Sequence, residues 1–134
     1  MAIGGFTVKD KRPRNLGITQ ILAYQLPLQG IASILHRITG LFLFISIPLL
    51  LYLLQQSLAS PESFFALKGV LANWFVKLVI FGILAAFVYH LLAGIKHLIM
   101  DCGHAETKTG SRIAAQTTLV LTVIIMAGLG VWLW

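Results

Sequence analysis

Three stretches without a charged side chain, residues 38–61, 78–95 and 113–134, constrain this chain more than any other feature. A helix needs about 20 predominantly apolar residues to cross the hydrocarbon core of a bilayer. Within that core every backbone N–H and C=O must be paired inside the segment, which a helix achieves and an open strand does not. The composition agrees, with 58% hydrophobic and 10% charged residues and a mean hydropathy of +0.91, where a soluble domain carries about 25% charged residues. The 134 residues leave room for three spans and short connections. They leave none for a separate extramembrane catalytic domain, nor for a large multi-helix transporter built from one chain. The expected fold is an all-α membrane protein with three transmembrane helices at 30–56, 73–100 and 113–134. Around them lie an N-terminal interfacial segment at 1–29 and connections at 57–72 and 101–112.

The net charge of +6 does not mark a nucleic-acid binder, because the basic residues sit between apolar runs and not on one solvated face. They read as topology signals. Lys9, Lys11, Arg12 and Arg14 precede the first span, Lys96, Lys108 and Arg112 surround the second connection, and the first connection holds Lys68 with Lys77 at its edge. The positive-inside rule then places the N-terminus and the second connection in the cytoplasm and the C-terminus outside. The polar, basic opening MAIGGFTVKDKRPRN lacks the apolar core of a cleavable signal peptide. Cys102 is the single cysteine, which excludes an intramolecular disulfide. Ser60-Pro61 reads as an N-cap followed by proline at the first helical position, opening a short surface helix. Residues 15–29 read as an interfacial amphipathic segment interrupted by Pro27, and Pro48 predicts a kink in the first span.

An ionisable side chain inside a span costs roughly 2.5–3.5 kcal/mol on insertion scales, so each one needs a partner or a purpose. On the first span, Ser33 and Arg37 lie four residues apart, as do His36 and Gly40, and share one side. On the second, His90, Gly94, His97 and Asp101 form one continuous stripe, left flat beside His90 by Gly94, as close approach of a large planar group or another helix requires. The inferred orientation puts both polar faces in the cytoplasmic half, where they can meet. A buried imidazole beside a glycine, in a span free of carboxylates, suits an axial haem ligand, since neutral imidazole binds iron without placing an anion in the bilayer. An Arg and a His at the membrane mouth suit haem propionates. The plainer readings stand beside these: His90 bonding a neighbouring helix, Arg37 snorkelling to the interface, and Ser33 serving helix packing.

Other residues read as structural. Tyr52 and Tyr89 are expected to pack or sit at the interface, Met100 and Met126 to touch lipid or helices, and Gly128 and Gly130 to permit close helix contact. Cys102 is expected to be small and buried, His104 solvated, and Asp101 paired with Lys96 or His97 or held in a polar network.

Two motifs in order resemble the cytochrome b556 family of succinate dehydrogenase membrane anchors. One comprises Arg12-Pro13 and Asn15-Leu16 before the first span with Ser33-Ile-Leu-His36-Arg37-Ile-Thr39-Gly40 at its start. The other is His90-Leu-Leu-Ala-Gly94-Ile-Lys96-His97-Leu-Ile-Met-Asp101-Cys-Gly103. The resemblance covers nearly the whole chain, including its span count. It implies a partner: a second small three-helix anchor, with an iron–sulfur subunit and a flavoprotein held at the membrane. It implies that His90 is one axial ligand of haem b, the other coming from the second anchor, with His36, Arg37, Gly94 and His97 in the haem pocket or near its propionates. Ser33 and Arg37 are the implied ubiquinone-site residues. The basic N-terminus has no transit-like character, which favours a bacterial inner membrane over a mitochondrial one.

Two departures from the family pattern stand out. Lys96 replaces the usual arginine, keeping the charge but losing the planar fork. Arg14 stands where an aliphatic residue is usual. The alternatives left open are a fumarate reductase-type anchor, a haem-free structural anchor, and a proton-relay subunit using His90, His97 and Asp101.

Overall fold

The computed structural model describes residues 26–134. The basic residues 9–14, the first half of the leading motif and most of the interfacial segment at 15–29 lie outside the described residues. Four helices follow in order: α1 (Leu28–Ala59), α2 (Pro61–Leu71), α3 (Trp74–Asp101) and α4 (Lys108–Leu133). Among the described residues, α1, α3 and α4 are the helices long and apolar enough to cross a membrane.

Local sequence sets the boundaries. Ser60 and Ser63 form a reciprocal capping box, each hydroxyl accepting the other's backbone N–H (3.1 and 3.0 Å), with Pro61 at the first helical position. The neighbouring Glu62 carboxyl is held below the usual carboxylate range by its own backbone amide and, secondarily, by the Ser60 hydroxyl. Asn73 caps α3 through Phe75 N–H and Thr107 caps α4 through Gly110 N–H. At the far end of α3, Gly103 adopts the left-handed φ of 81°. His104 N–H then reaches the Ile99 carbonyl (3.3 Å) and Gly103 N–H the Met100 carbonyl (2.9 Å), a Schellman closure. Helix α1 continues through Pro48 unbroken.

Helix α3 is central, packing against α1 on one side and α4 on the other, while α2 folds back along the end of α1. The contacts use small residues: Ala32 of α1, Ala86 and Ala93 of α3, and Ala115 of α4 are all buried. In lipid, where the hydrophobic effect does not drive helices together, small residues let backbones approach and gain dispersion contact. The buried hydroxyls are satisfied within their own helices, Ser46 donating to the Phe42 carbonyl (2.8 Å) and Thr118 to that of Ala114 (2.9 Å). At the other end of the bundle, the Lys77 ammonium donates to the Leu133 carbonyl (2.8 Å), closing the C-terminus of α4. Trp134 packs edge-on against Phe81 at 5.7 Å.

Most of the apolar surface faces outward. Phe44, Leu58, Val131 and Trp132 are all more than two-thirds exposed, and only 6% of the most apolar stretch of α1 is buried inside the chain. A surface of that character is covered by lipid or by other subunits. Three expectations change here. Cys102 is exposed, because it is the C-cap of α3 where the chain turns out of the bundle. Gly128 has nothing within 4 Å of a Cβ placed on it, whereas Gly130 lies in ordinary contact with the Phe81 ring. Tyr89 does more than fill space: it is buried, and its hydroxyl donates to the Ala32 carbonyl at 2.8 Å, pinning α3 to α1.

Candidate functional site

The site forms where α1 and α3 cross. Ala32, His36 and Gly40 follow i, i+4 spacing, so they lie along one stripe of α1 that meets the His90–Gly94–His97 stripe of α3. The His36 and His90 rings stack, with centroids 4.1 Å apart and planes 16° from parallel. His97 approaches His36 at 5.3 Å, tilted by 45°. Both are residues that the sequence placed on facing polar stripes, and the structure brings all three imidazoles into one cluster.

His90 is held firmly. Its Nδ1 lies 3.0 Å from the His36 carbonyl oxygen and 3.3 Å from the Thr39 hydroxyl. A carbonyl can only accept, so the hydrogen-bond network assigns the proton to Nδ1 and leaves the Nε2 lone pair free. The Thr39 hydroxyl has carbonyl acceptors for its own proton at Leu35 (2.9 Å) and His36 (3.0 Å), so its oxygen is available to share the Nδ1–H. Gly40 completes the seat: a Cβ there would stand 2.8 Å from His90 Cε1, closer than real Cβ atoms come. Gly94, which the stripe had marked as the position of close approach, is looser, since a Cβ there would meet His36 Nε2 at 3.8 Å, an ordinary contact. Close approach is needed at the glycine of the facing helix because His90 reaches across the gap from α3.

His36 Nε2 is buried and has no hydrogen-bond partner among the described residues. Buried polar atoms are rarely left unpaired, so an orphan of this kind calls for a group the chain does not itself supply. Ser33 is half-buried and Arg37 exposed, one turn apart on the flank of α1 beside the cluster. Asp101 is exposed at the end of α3, and Lys96 faces the α4 side, lining a cavity there.

These residues fit one half of a haem site. An imidazole whose Nδ1–H is fixed by a carbonyl presents a well-oriented, basic Nε2, the usual second-shell arrangement of a metal-bound histidine. The His36 ring covers a face of His90 and so leaves the in-plane Nε2 edge open. Among the described residues no group of three His, Cys, Asp or Glu side chains is arranged to hold a metal ion unaided. A single imidazole nitrogen of the kind that can ligate a haem iron is what His90 offers.

Comparison with known proteins decides the family. The profile described as succinate dehydrogenase/fumarate reductase transmembrane subunit matches residues 10–129. The chain belongs to this family. Among its relatives, the succinate dehydrogenase cytochrome b556 subunit of Coxiella burnetii (strain RSA 493 / Nine Mile phase I) is 43% identical over 125 residues, covering 92% of this chain and 98% of that protein. The subunit of the same description from Paracoccus denitrificans is 37% identical over 109 residues, covering 76% of this chain and 84% of that protein. A more distant one from Rickettsia felis (strain ATCC VR-1525 / URRWXCal2) is 25% identical over 118 residues. The matches to the Coxiella and Paracoccus subunits extend through most of the chain.

Two contributors to the site were not given their roles from sequence. Thr39 lay inside the quoted motif with no role assigned. The glycine against which His90 is seated is Gly40, not Gly94. A signal existed for Gly40, which shares the His36 side of α1, but which glycine is close-packed depends on the crossing geometry.

Proposed function

We propose that this chain is a membrane-anchor subunit of succinate dehydrogenase in a bacterial inner membrane, where it helps hold haem b and carries electrons from an iron–sulfur subunit to ubiquinone. The observation that carries the reading is the His90 imidazole anchored by the His36 carbonyl, with Nε2 left free in a span. The family membership supports the assignment to a respiratory complex. Succinate oxidation belongs to a flavoprotein partner, so the chain is part of the enzyme without binding the dicarboxylate. His90 would be this chain's ligand to the haem, with a second small anchor subunit completing the site.

The residues of this chain have distinct tasks. His90 Nε2 would hold the haem iron, and the His36 carbonyl and Thr39 hydroxyl hold the ring at its Nδ1–H. His36 Nε2 and the Arg37 guanidinium donate to propionate oxygens, which would satisfy the otherwise orphaned His36 nitrogen. Haem b, when bound, supplies a one-electron store close to the quinone. Ser33 donates a hydrogen bond to a quinone carbonyl. Arg37 stabilises the negative charge that develops on that oxygen as electrons arrive and before protons follow, as an oxyanion-hole donor does. Both lie at the end of α1 that the basic N-terminal segment and the α3–α4 connection mark as cytoplasmic.

A fumarate reductase-type anchor would use the same residues in the reverse direction. The proton-relay alternative receives less support, because His90 Nδ1 is committed to the His36 carbonyl and His97 approaches His36 instead of His90. The test is a reduced-minus-oxidised visible spectrum of the purified complex. Wild type shows b-type bands and His90→Ala loses them, with all subunits still present. Bands that persist unchanged in the variant would remove His90 as the ligand.

A further inference from the structure

Between α3 and α4, on the side away from the histidine cluster, lies a cavity of about 230 Å³. Leu92, Ile95 and Ile99 form one wall and Ala114 and Leu121 the other. Met100 and Ala105 stand at its mouth, beside the α3–α4 turn. From Leu92 to Met100 it extends about 12 Å along the helix axis, at 1.5 Å per residue. It is a slot for a chain, not a round chamber.

One side chain does not belong in such a slot. Lys96 lines it, is only 8% exposed, and sits about one turn inside Met100. Among the described residues no hydrogen bond or ion pair engages its ammonium group. The adjacent Thr118 hydroxyl is committed to the Ala114 carbonyl at 2.9 Å, and both Asp101, the last residue of α3, and Glu106 in the connection are exposed. Thr117 lines the cavity as well and brings a second hydroxyl. A buried cation without a counter-charge is costly, so its retention in a span points to an anion from outside the chain.

We propose that this cavity binds an anionic phospholipid, its phosphate paired with Lys96 and the upper part of one acyl chain lying between α3 and α4. A phosphodiester brings the missing negative charge, with oxygens enough to accept from both the ammonium group and the Thr117 hydroxyl. Inorganic phosphate would neutralise Lys96 but leave the apolar walls empty. A neutral amphiphile would fill the walls and leave the ammonium uncompensated. None of the three clustered histidines lines the cavity, and the proposal does not rest on the haem reading.

The experiment uses the whole complex, with phosphatidylglycerol carrying a photoreactive group near the top of one acyl chain. Label is expected on the α3 and α4 peptides that contain Leu92 and Leu121, displaced by unlabelled phosphatidylglycerol and not by phosphatidylcholine. Lys96→Met should weaken labelling about tenfold, a loss equal to one ion-paired contact of about 1.4 kcal/mol, while Lys96→Arg retains it. Should Lys96→Met fail to assemble, Ala114→Leu, which narrows the slot from α4, must remove the same label. Equal labelling in Lys96→Met, equal displacement by phosphatidylcholine, displacement by inorganic phosphate alone, or displacement by ubiquinone would each overturn the proposal.

Discussion

Gly40 faces the edge of the His90 imidazole so closely that a methyl group in its place would stand 2.8 Å from His90 Cε1. The atom met is part of a ring held at Nδ1 by the His36 carbonyl, so it is not the loose end of a flexible side chain. Gly40→Ala must therefore move the ring or part α1 from α3. The expected result is a complex with strongly diminished or shifted b-type bands, read in the reduced-minus-oxidised spectrum. Gly128→Ala is the matched control, since a Cβ there meets nothing within 4 Å among the described residues. It should leave the spectrum unaltered.

Thr39 acts on His90 from the second shell. Its oxygen lies 3.3 Å from Nδ1 and shares the proton that the His36 carbonyl accepts. Removing that acceptor in Thr39→Val makes the imidazole a weaker electron donor, and a weaker donor stabilises oxidised iron less. The haem midpoint potential should rise, in a redox titration followed at the b-type band, with the haem still bound by His90. Thr39→Ser, which keeps the oxygen, should stay near wild type. An unaltered potential in Thr39→Val would show that the His36 carbonyl alone governs the ring.

Ser33 and Arg37 flank the cluster, half-buried and exposed respectively, on the side of α1 that α3 does not cover. Ser33→Ala and Arg37→Ala should each lower succinate–ubiquinone reductase activity by about tenfold or more, the scale of losing one donor to a developing charge. Succinate oxidation with an artificial acceptor should be spared in both. Parallel losses in the two assays would instead indicate failed assembly.

The Tyr89 hydroxyl donates to the Ala32 carbonyl across the α1–α3 contact, in a buried setting. Tyr89→Phe keeps the ring and deletes the bond. Because the Ala32 carbonyl lies inside α1, in its second turn, the loss should be near the value of one net hydrogen bond, about 0.5–1.5 kcal/mol. A lowered thermal midpoint of the purified complex, with the haem spectrum intact, is the expected outcome.

The sequence made much of this visible where the physics is local. Ser60 followed by Pro61 marks a helix start in any surroundings, and the structure begins α2 there with the capping box in place. The 4-3 spacing of His90, Gly94 and His97 requires only that α3 be helical to put them on one face. What depends on how two helices cross was not legible. Spacing pointed to Gly94 as the flat position, yet Gly40 takes the close contact, because His90 projects from α3 onto α1. Tyr89 and Thr39 read as packing and as an unassigned motif member until the facing carbonyls of Ala32 and His36 came within hydrogen-bond distance. Cys102 and Gly128 erred in the opposite sense, as small residues expected in contacts that this chain does not provide for them.

The three charge-free runs by themselves determined that the chain is helical and lives in a bilayer, since unpaired backbone groups cannot persist in hydrocarbon. They also made the few polar residues within the spans conspicuous. Only the tertiary structure decided which of those residues meet: it stacked His36 on His90, gave His90 its tautomer through a backbone carbonyl, and turned Lys96 towards α4. The reason is physical. Helical periodicity assigns each side chain a direction around its own axis, but distance and angle between two axes come from packing small residues such as Ala32, Ala86 and Ala93 against one another.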